Sequence, residues 1–176
     1  SILQNVVHST QHPSEQLEKV REDVSSLQNV QQSILKLEQI EIDLAYSEET
    51  AITSVYLGTT LTKNVEIITT ELSELTEQTF LLEHTPLSPT ESLLIIVCLN
   101  QHASSVSNFL RRIGFERIET SGYTGTPGEV LHTIQNRIDE LHEEERRLKD
   151  QIVVSSDQFK DSLLALRELL QFEKER

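Results

Sequence analysis

The side chains that could perform chemistry are few and scattered in this sequence. Cys98 is the single cysteine, and it lies in the most apolar run of the chain, LLIIVCL at 93–99. A cysteine in such surroundings behaves as a small buried hydrophobe, and no plausible base stands beside it. There is no Gly-x-Ser-x-Gly motif and no glycine-rich phosphate loop, since Gly122 and Gly125 fall in a loop before a helix start. The sequence therefore predicts neither an enzyme nor a cofactor.

The six histidines lack the spacing of metal ligands. His132 and His142 are ten residues apart, which on a helix places them on different faces. His84 and His102 fall at the ends of predicted elements and could meet. No acidic or sulfur ligand is spaced to complete a site around them, so we predict no metal centre.

Three arginines form the one local charge anomaly. Residues 51–126 contain only four basic residues, and three of them, Arg111, Arg112 and Arg117, cluster around Gly114. One explanation is that cations at a helix C-terminus complement its dipole. The other is a contact surface for an acidic or helical partner. We take these three arginines as candidate partner-binding residues.

Composition excludes several functional classes. The chain has 176 residues and a formal net charge of −14. Such a charge would repel a phosphate backbone or a bare anionic membrane surface, so no nucleic-acid partner is expected. No segment reaches the roughly 18 apolar residues of a membrane-spanning helix, so direct membrane insertion is not expected either. Because the sequence starts without an initiator methionine and ends within a helical pattern, we interpret it as a segment of a larger protein.

Two long amphipathic helices are predicted near the ends of the chain. Residues 14–46 repeat apolar side chains at intervals of three and four, and Pro13 marks their start. Residues 127–176 continue this pattern for longer, and a Thr-x-x-Glu capping box at Thr126 marks their start. Each apolar stripe needs a partner, so the two helices are predicted to pair as an antiparallel coiled coil. Residues 1–11 are expected to form a short helix of their own, offset by the break at Pro13.

The segment between these helices, residues 51–126, has the pattern of a small α+β lobe. Strand-like and helical runs follow in the order βαββαβ, which is the split βαβ or ferredoxin-like plan. The third strand is apolar on both faces and is expected to be central. Gly114 is expected to end the second helix of the lobe. The predicted fold is a ferredoxin-like lobe inserted between two helical arms, residues 1–50 and 127–176.

The run FLRRIGFERIETSGYTGTPGEVLHTIQNRIDELHEEERRL, residues 109–148, resembles the soluble N-terminal part of subunit I, also called subunit a, of archaeal and vacuolar-type rotary ATPases. In that family a strand ends near a Leu-Gly-Phe-like step, which Ile113-Gly114-Phe115 matches. The family's long helix then starts at Gly-Thr-Pro, which Gly125-Thr126-Pro127 matches. VYLGTTL at 55–61 resembles the strand that opens the same lobe. The resemblance covers nearly the whole chain in the order helix, lobe, helix.

This resemblance implies a distal lobe with its connecting helices, at the cytoplasmic face of a membrane-bound complex. Such a lobe contacts the peripheral stalk, the E–G heterodimer, and other subunits, and holds the catalytic head still while the rotor turns. The family's proximal lobe and membrane domain have no counterpart here, so no ion path and no catalytic residue are carried over. The expected function is a non-catalytic stator segment.

Two alternatives stay open at the level of sequence. Ferredoxin-like lobes often bind small molecules, so a ligand-binding regulatory module is one. The other is a homodimeric coiled-coil adaptor in which the apolar stripes pair between chains.

Overall fold

The structure is a computed structural model that describes residues 2–174. Ser1 and residues 175–176, the outer ends of the predicted arms, lie outside the described residues. Four α-helices and four strands are described: α1 (Ile2–Leu35), β1 (Thr53–Leu61), α2 (Val65–Leu75), β2 (Phe80–Pro86), β3 (Glu91–Leu99), α3 (Ala103–Arg112), β4 (Glu116–Arg117) and α4 (Pro127–Lys174). Short 3-10 helices occupy Leu44–Ser47, Thr62–Asn64 and Asn100–His102. None of the described helices is long and apolar enough to cross a bilayer.

The chain divides into two compact units. One consists of Ser1–Gln28 with Gln135–Arg176, and the other is Asn29–Ile134, which contains the whole sheet. The second unit includes more residues than the predicted lobe of residues 51–126. Residues on the N-terminal side of that lobe are buried in the unit, among them Ile34, Leu37 and Leu44 at 0% exposure.

The predicted helix break at Pro13 is wrong, because α1 runs without interruption from Ile2 to Leu35. Proline removes one backbone N–H and crowds the carbonyl four residues earlier, which usually ends a helix. Two nearby hydroxyls bond helix carbonyls that precede Pro13. Thr10 Oγ1 donates to the carbonyl of Val7 at 3.4 Å, and Ser14 Oγ donates to that of Thr10 at 2.8 Å.

The C-terminal end of α1 also differs from the prediction, since the helix ends at Leu35 and not at residue 46. A turn follows, in which Leu37 N–H bonds Ile34 O at 2.8 Å. Asp43 then caps a 3-10 helix that begins at Leu44. Leu37 and Leu44 are spaced as on a helix and are both fully buried, so burial alone explains the apolar period that the sequence showed.

The four strands form one antiparallel sheet in the order β2-β3-β1-β4. The expectation that the third strand is central is confirmed, because β3 pairs with β1 on one side and β2 on the other. β4 has only two residues and pairs with β1 only at Gly58–Arg117 and Thr59–Glu116. The fold of the described chain is therefore α+β, with a long C-terminal helix.

One face of the sheet packs against α2 and α3. Its core joins apolar residues of β1 and β3 to the inner faces of the two helices. The buried members are Tyr56, Ile68, Leu72, Leu94, Ile96, Cys98, Val106, Phe109 and Leu110. Burying a large apolar side chain stabilises a fold by about 1.5–3 kcal/mol, so this cluster is the main source of stability for the unit.

The opposite face is covered in part. Val55, Leu57 and Leu93 alternate with the core residues along their strands and are also buried. Lys36, which follows α1, forms an ion pair with Glu91 at the start of β3, with Nζ and Oε1 2.9 Å apart. The segment after α1 therefore lies against this end of the sheet.

In the other unit, α1 and α4 meet through apolar and charged contacts. Val20, Val24, Ile138, Leu141 and Leu148 are buried. Glu145 interrupts the apolar stripe of α4, and its carboxylate bonds Arg21 Nε of α1 at 3.1 Å. Toward the end of α4 no described residue covers the apolar stripe, and Leu163 and Leu170 are 47% and 54% exposed.

Candidate partner-binding site

The arginine cluster is built on a Schellman turn at the end of α3. The backbone N–H of Phe115 bonds Leu110 O at 3.0 Å, and that of Gly114 bonds Arg111 O at 3.4 Å. Gly114 has φ +80°, a left-handed conformation that a residue with a Cβ adopts only under strain. The predicted role of Gly114 as the residue after the helix end is confirmed. The turn sends the chain back toward β1, where β4 begins.

Glycine at position 58 allows β4 to approach β1 closely. A Cβ at Gly58 would lie 2.3 Å from the carbonyl oxygen of Glu116 and 2.6 Å from Cζ of Phe115. The space that a side chain would take is therefore filled by the Phe115 ring and the β4 backbone. This contact sets the position of Arg117, the next residue along β4.

Arg117 is held against β1 by two interactions. Its Nη2 donates to Val55 O at 3.2 Å, and its guanidinium lies 5.2 Å from the ring centroid of Tyr56. Tyr56 is itself fixed, because its hydroxyl donates to Ala103 O at 2.9 Å, and burial raises its pKa. The cation is thus oriented by a backbone carbonyl and an aromatic face.

The structure brings two of the three predicted arginines together. Arg111 and Arg117 line one cleft of about 200 Å³, together with Tyr56, Ser107, Leu110 and Phe115. Arg112 lies in the last turn of α3 but does not line this cleft. A cleft of this size with two guanidinium groups suits a single carboxylate or a similar small anionic group.

The arginines form no close ion pairs within the described part of the chain, although Glu49 and Glu119 line a cavity together with Arg117. Among the described residues, no carboxylate lies within ion-pair distance of Arg111, Arg112 or Arg117. Arg111 and Arg112 are exposed. The helix dipole explains why cations are favourable at this end of α3, but it does not use their hydrogen-bonding capacity.

A second, more polar cavity of about 430 Å³ adjoins Arg117 on the other side. It is lined by hydroxyl and carboxylate groups, including Ser47, Glu49 and Glu119. Ser47 Oγ donates to Leu44 O at 2.6 Å and lies 2.6 Å from Thr120 Oγ1. No described base contacts Ser47, so the cavity has no activated nucleophile.

Asp43 is a structural residue that the sequence analysis missed. One of its oxygens, Oδ1, accepts the backbone N–H groups of Ala45 and Gly125, both at 2.9 Å. Both hydrogen bonds lower the pKa of Asp43, and the bond from Ala45 has the larger effect. An aspartate one residue before a short apolar helix is a signal for a cap, but its second bond depends on a residue 82 positions away.

The remaining candidates have no catalytic arrangement among the described residues. Cys98 is 2% exposed within the core, and burial raises the pKa of its thiol. The described chain has no group of three or more His, Cys, Asp or Glu residues that could hold a metal ion. His102 instead lies 3.1 Å from the side-chain nitrogen of Gln101.

The chain is similar in sequence to subunit I of A-type ATP synthases. The chain is 32% identical over 114 residues to A-type ATP synthase subunit I of Methanothermobacter thermautotrophicus, a match that covers 65% of this chain. It is 30% identical over 83 residues to the subunit I of Methanocaldococcus jannaschii and 29% identical over 85 residues to that of Pyrococcus horikoshii. These two matches cover 47% and 48% of this chain. The chain spans only 17%, 12% and 13% of the length of these curated relatives. No family model matches the chain.

A solved structure shares the fold. It is the cytoplasmic N-terminal domain of subunit I, a homologue of subunit a of V-ATPase, with a TM-score of 0.52 and 18% sequence identity. The superposition covers 85% of this chain and 52% of the other. The chain is therefore similar in sequence to A-type ATP synthase subunit I over 114 residues, and it shares the fold of the cytoplasmic N-terminal domain of a subunit I.

Proposed function

We propose that this chain is a non-catalytic stator segment of an A/V-type rotary ATPase or ATP synthase. It would link the ion-translocating membrane subunit to the peripheral stalk and resist torque at the cytoplasmic face of the membrane. The observation that carries this proposal is the 32% identity over 114 residues to an A-type ATP synthase subunit I.

The proposed architecture is a ferredoxin-like lobe, residues 51–126, between helical arms that pair as an antiparallel coiled coil. The strand order β2-β3-β1-β4 with two helices on one face supports the ferredoxin-like plan. The ion pair between Arg21 and Glu145 and the buried valines of α1 support the pairing of the arms. A stator must transmit force without yielding, and paired helices resist bending better than a chain of loops.

The length of α4 suits this mechanical role. It is one uninterrupted helix of 48 residues, which corresponds to about 72 Å at the rise of an α-helix. Its start is fixed by a capping box, in which Thr126 N–H donates to Glu129 Oε2 at 2.9 Å and Glu129 N–H to Thr126 Oγ1 at 3.4 Å. These two bonds satisfy backbone N–H groups that the helix itself cannot pair, and they fix the residue at which the helix begins.

We further propose that Arg111, Arg112 and Arg117 contact the peripheral stalk, the E–G heterodimer. Their charges are unpaired among the described residues although the whole chain has a net charge of −14. An acidic or helical partner would supply carboxylates to pair with these three arginines. Because Arg117 is pre-oriented by Val55 and Tyr56, binding would cost little side-chain entropy at that position.

The test is a calorimetric titration of the chain with the purified E–G heterodimer of the same source, at low and moderate salt. We expect saturable one-to-one binding that weakens as salt is raised. The double variant Arg111→Glu/Arg112→Glu should weaken binding by more than about tenfold, because two favourable charge contacts become repulsive. Thermal unfolding of the variant should stay close to that of the original chain, since both side chains are exposed.

A charge-matched control lies on α4. Arg146→Glu/Arg147→Glu changes the net charge by the same amount at two adjacent arginines. An equal loss of affinity in both double variants would reject the arginine surface and indicate a general charge effect. Failure of the unchanged chain to bind at any accessible concentration would reject the stalk contact itself.

A further inference from the structure

The outer edge of β2 is an open side of the sheet. In the described sheet β2 pairs only with β3, so its other side has no neighbouring strand. A strand at a sheet edge presents unpaired N–H and C=O groups that another strand can bind. β2 has seven residues, which is long enough to form a further ladder.

The register identifies which backbone groups point outward. Ile118 N–H bonds Leu57 O, so the odd-numbered residues of β1 point to β4 and the even-numbered ones to β3. Because Tyr56 is opposite Ile96, the odd-numbered residues of β3 must point to β2. Leu81 is opposite Val97, so the odd-numbered residues of β2 point inward. The outward groups therefore belong to Phe80, Leu82 and His84.

These outward groups have no hydrogen-bond partner among the residues that the structure describes. The backbone groups of Phe80, Leu82 and His84 form none of the turn, loop or side-chain bonds found in the described chain. Natural sheets often protect an open edge with proline or charge. Here Pro86 protects only the far end of β2, while its first half, Phe80–Leu82, is apolar.

An exposed apolar side chain lies on the edge strand. Leu81 is 71% exposed at the middle of this half of the strand. It lines a groove of about 350 Å³ with Val97, Leu99 and the turn residue Gln78. Gln78 and Glu77 have φ of +64° and +52°, a left-handed pair without glycine that leads directly into β2. The groove lies over β2 and β3, on the inner side of β2, so an apolar side chain on an added strand would contact the exposed Leu81 side chain itself.

The surroundings of this edge are acidic. Residues 64–110 contain six glutamates and no lysine or arginine, and only Glu91 among them is paired with a cation, Lys36, in the described chain. Glu83 shares the face of β2 with Leu81, and Glu77 lies in the preceding turn; both are exposed. A segment bound here would have to bring positive charge.

We propose that the outer edge of β2 binds an extended basic segment of a partner protein, which adds a fifth strand to the sheet. The backbone of that segment bonds the outward groups of Phe80, Leu82 and His84. One of its apolar side chains contacts Leu81, and a lysine or arginine lies beside Glu83. This surface differs in charge and in binding mode from the arginine cluster, so it does not depend on contact with the stalk.

The probe is a synthetic peptide of about eight residues in which threonine occupies every second position and valine and lysine alternate at the positions between. Valine and lysine then share one face of the strand, as Leu81 and Glu83 do, and the peptide is long enough to span β2. Binding to the 176-residue chain is followed by NMR of the backbone amides and by hydrogen exchange. We expect saturable shifts centred on Phe80, Leu82 and His84 and slower exchange of their amides. A peptide with glutamate in place of lysine should bind at least about fivefold more weakly at low salt, because Glu83 and Glu77 repel it.

Two variants at one position test the backbone contact. His84→Pro removes an outward N–H without removing an inward one, and His84→Ala keeps that N–H and serves as the control. The proline variant should bind about fivefold more weakly than the alanine variant, as expected for one lost hydrogen bond. If His84→Pro unfolds the lobe, Glu83→Lys replaces it and should weaken binding of the lysine peptide. Equal binding of the lysine and glutamate peptides, or shifts that avoid β2, would overturn the proposal.

Discussion

Gly58→Ala is the substitution for which the structure predicts the sharpest effect. A Cβ at this position would lie 2.3 Å from Glu116 O and 2.6 and 2.8 Å from two carbons of the Phe115 ring. Ordinary contacts of a Cβ exceed about 3.4 Å, so the backbone of β4 must move by about 1 Å or more. A flexible side chain could move aside, but a strand carbonyl moves only with its strand.

The cost follows from what β4 would lose. Overpacking costs about 1–3 kcal/mol, and each hydrogen bond lost from the short ladder between β1 and β4 costs about 1 kcal/mol more. We expect Gly58→Ala to lower the free energy of unfolding of the sheet-containing unit by about 2–4 kcal/mol. The assay is urea unfolding followed by circular dichroism, with hydrogen exchange at Ile118 N–H as the local measure of β4.

Gly128→Ala is the matched control. Nothing lies within 4 Å of a Cβ at Gly128, and the residue is in the first turn of α4. The same substitution there should raise stability by about 0.5–1 kcal/mol through helix propensity and lower entropy of the unfolded chain. If Gly58→Ala also stabilises the protein, or leaves exchange at Ile118 unchanged, then the close approach of β4 to β1 is not as described.

Two further substitutions test the helices. Thr126→Ala should lower the free energy of unfolding by about 1 kcal/mol, because the capping bond from Glu129 N–H is lost. Thr126→Ser retains a hydroxyl and should keep most of this stability. Equal unfolding midpoints in urea for the two variants would contradict the capping role. Glu145→Gln tests the charge cluster: hydrogen bonds from Lys149 and then Arg21 lower the pKa of Glu145 from 4.5 to about 2. Its ionised form therefore stabilises the fold fully above pH 4.5, and this contribution is lost as the pH falls toward 2. The stability difference between the original chain and Glu145→Gln should shrink across this interval in urea titrations, and a constant difference would refute the assignment.

Local sequence rules predicted the features that depend on neighbours in the chain. The Thr126 capping box and the left-handed Gly114 are confirmed because both follow from bonds within one turn. β3 was expected to be central because it is apolar on both faces, and it is. The resemblance to subunit I, based on the stretch from Phe109 to Leu148, agrees with the named relatives.

The same rules were wrong where two local tendencies competed. Pro13 was expected to break the first helix, but the helix continues past it from Ile2 to Leu35. The apolar period that extends to Leu44 was taken as one helix, although the chain turns after Leu35 and still buries Leu37 and Leu44. Periodicity reports which residues are buried and does not specify the backbone that buries them.

The sequence by itself determined the element order, the acidic character and the clustering of three arginines around one turn. Only the tertiary structure decided that Arg117 lies over Tyr56 and shares a cleft with Arg111, while Arg112 stays outside it. That outcome depends on Gly58, which lies about sixty positions earlier and lets β4 approach. Contacts across such distances arise from strand pairing and packing, and no local pattern of residue types encodes them.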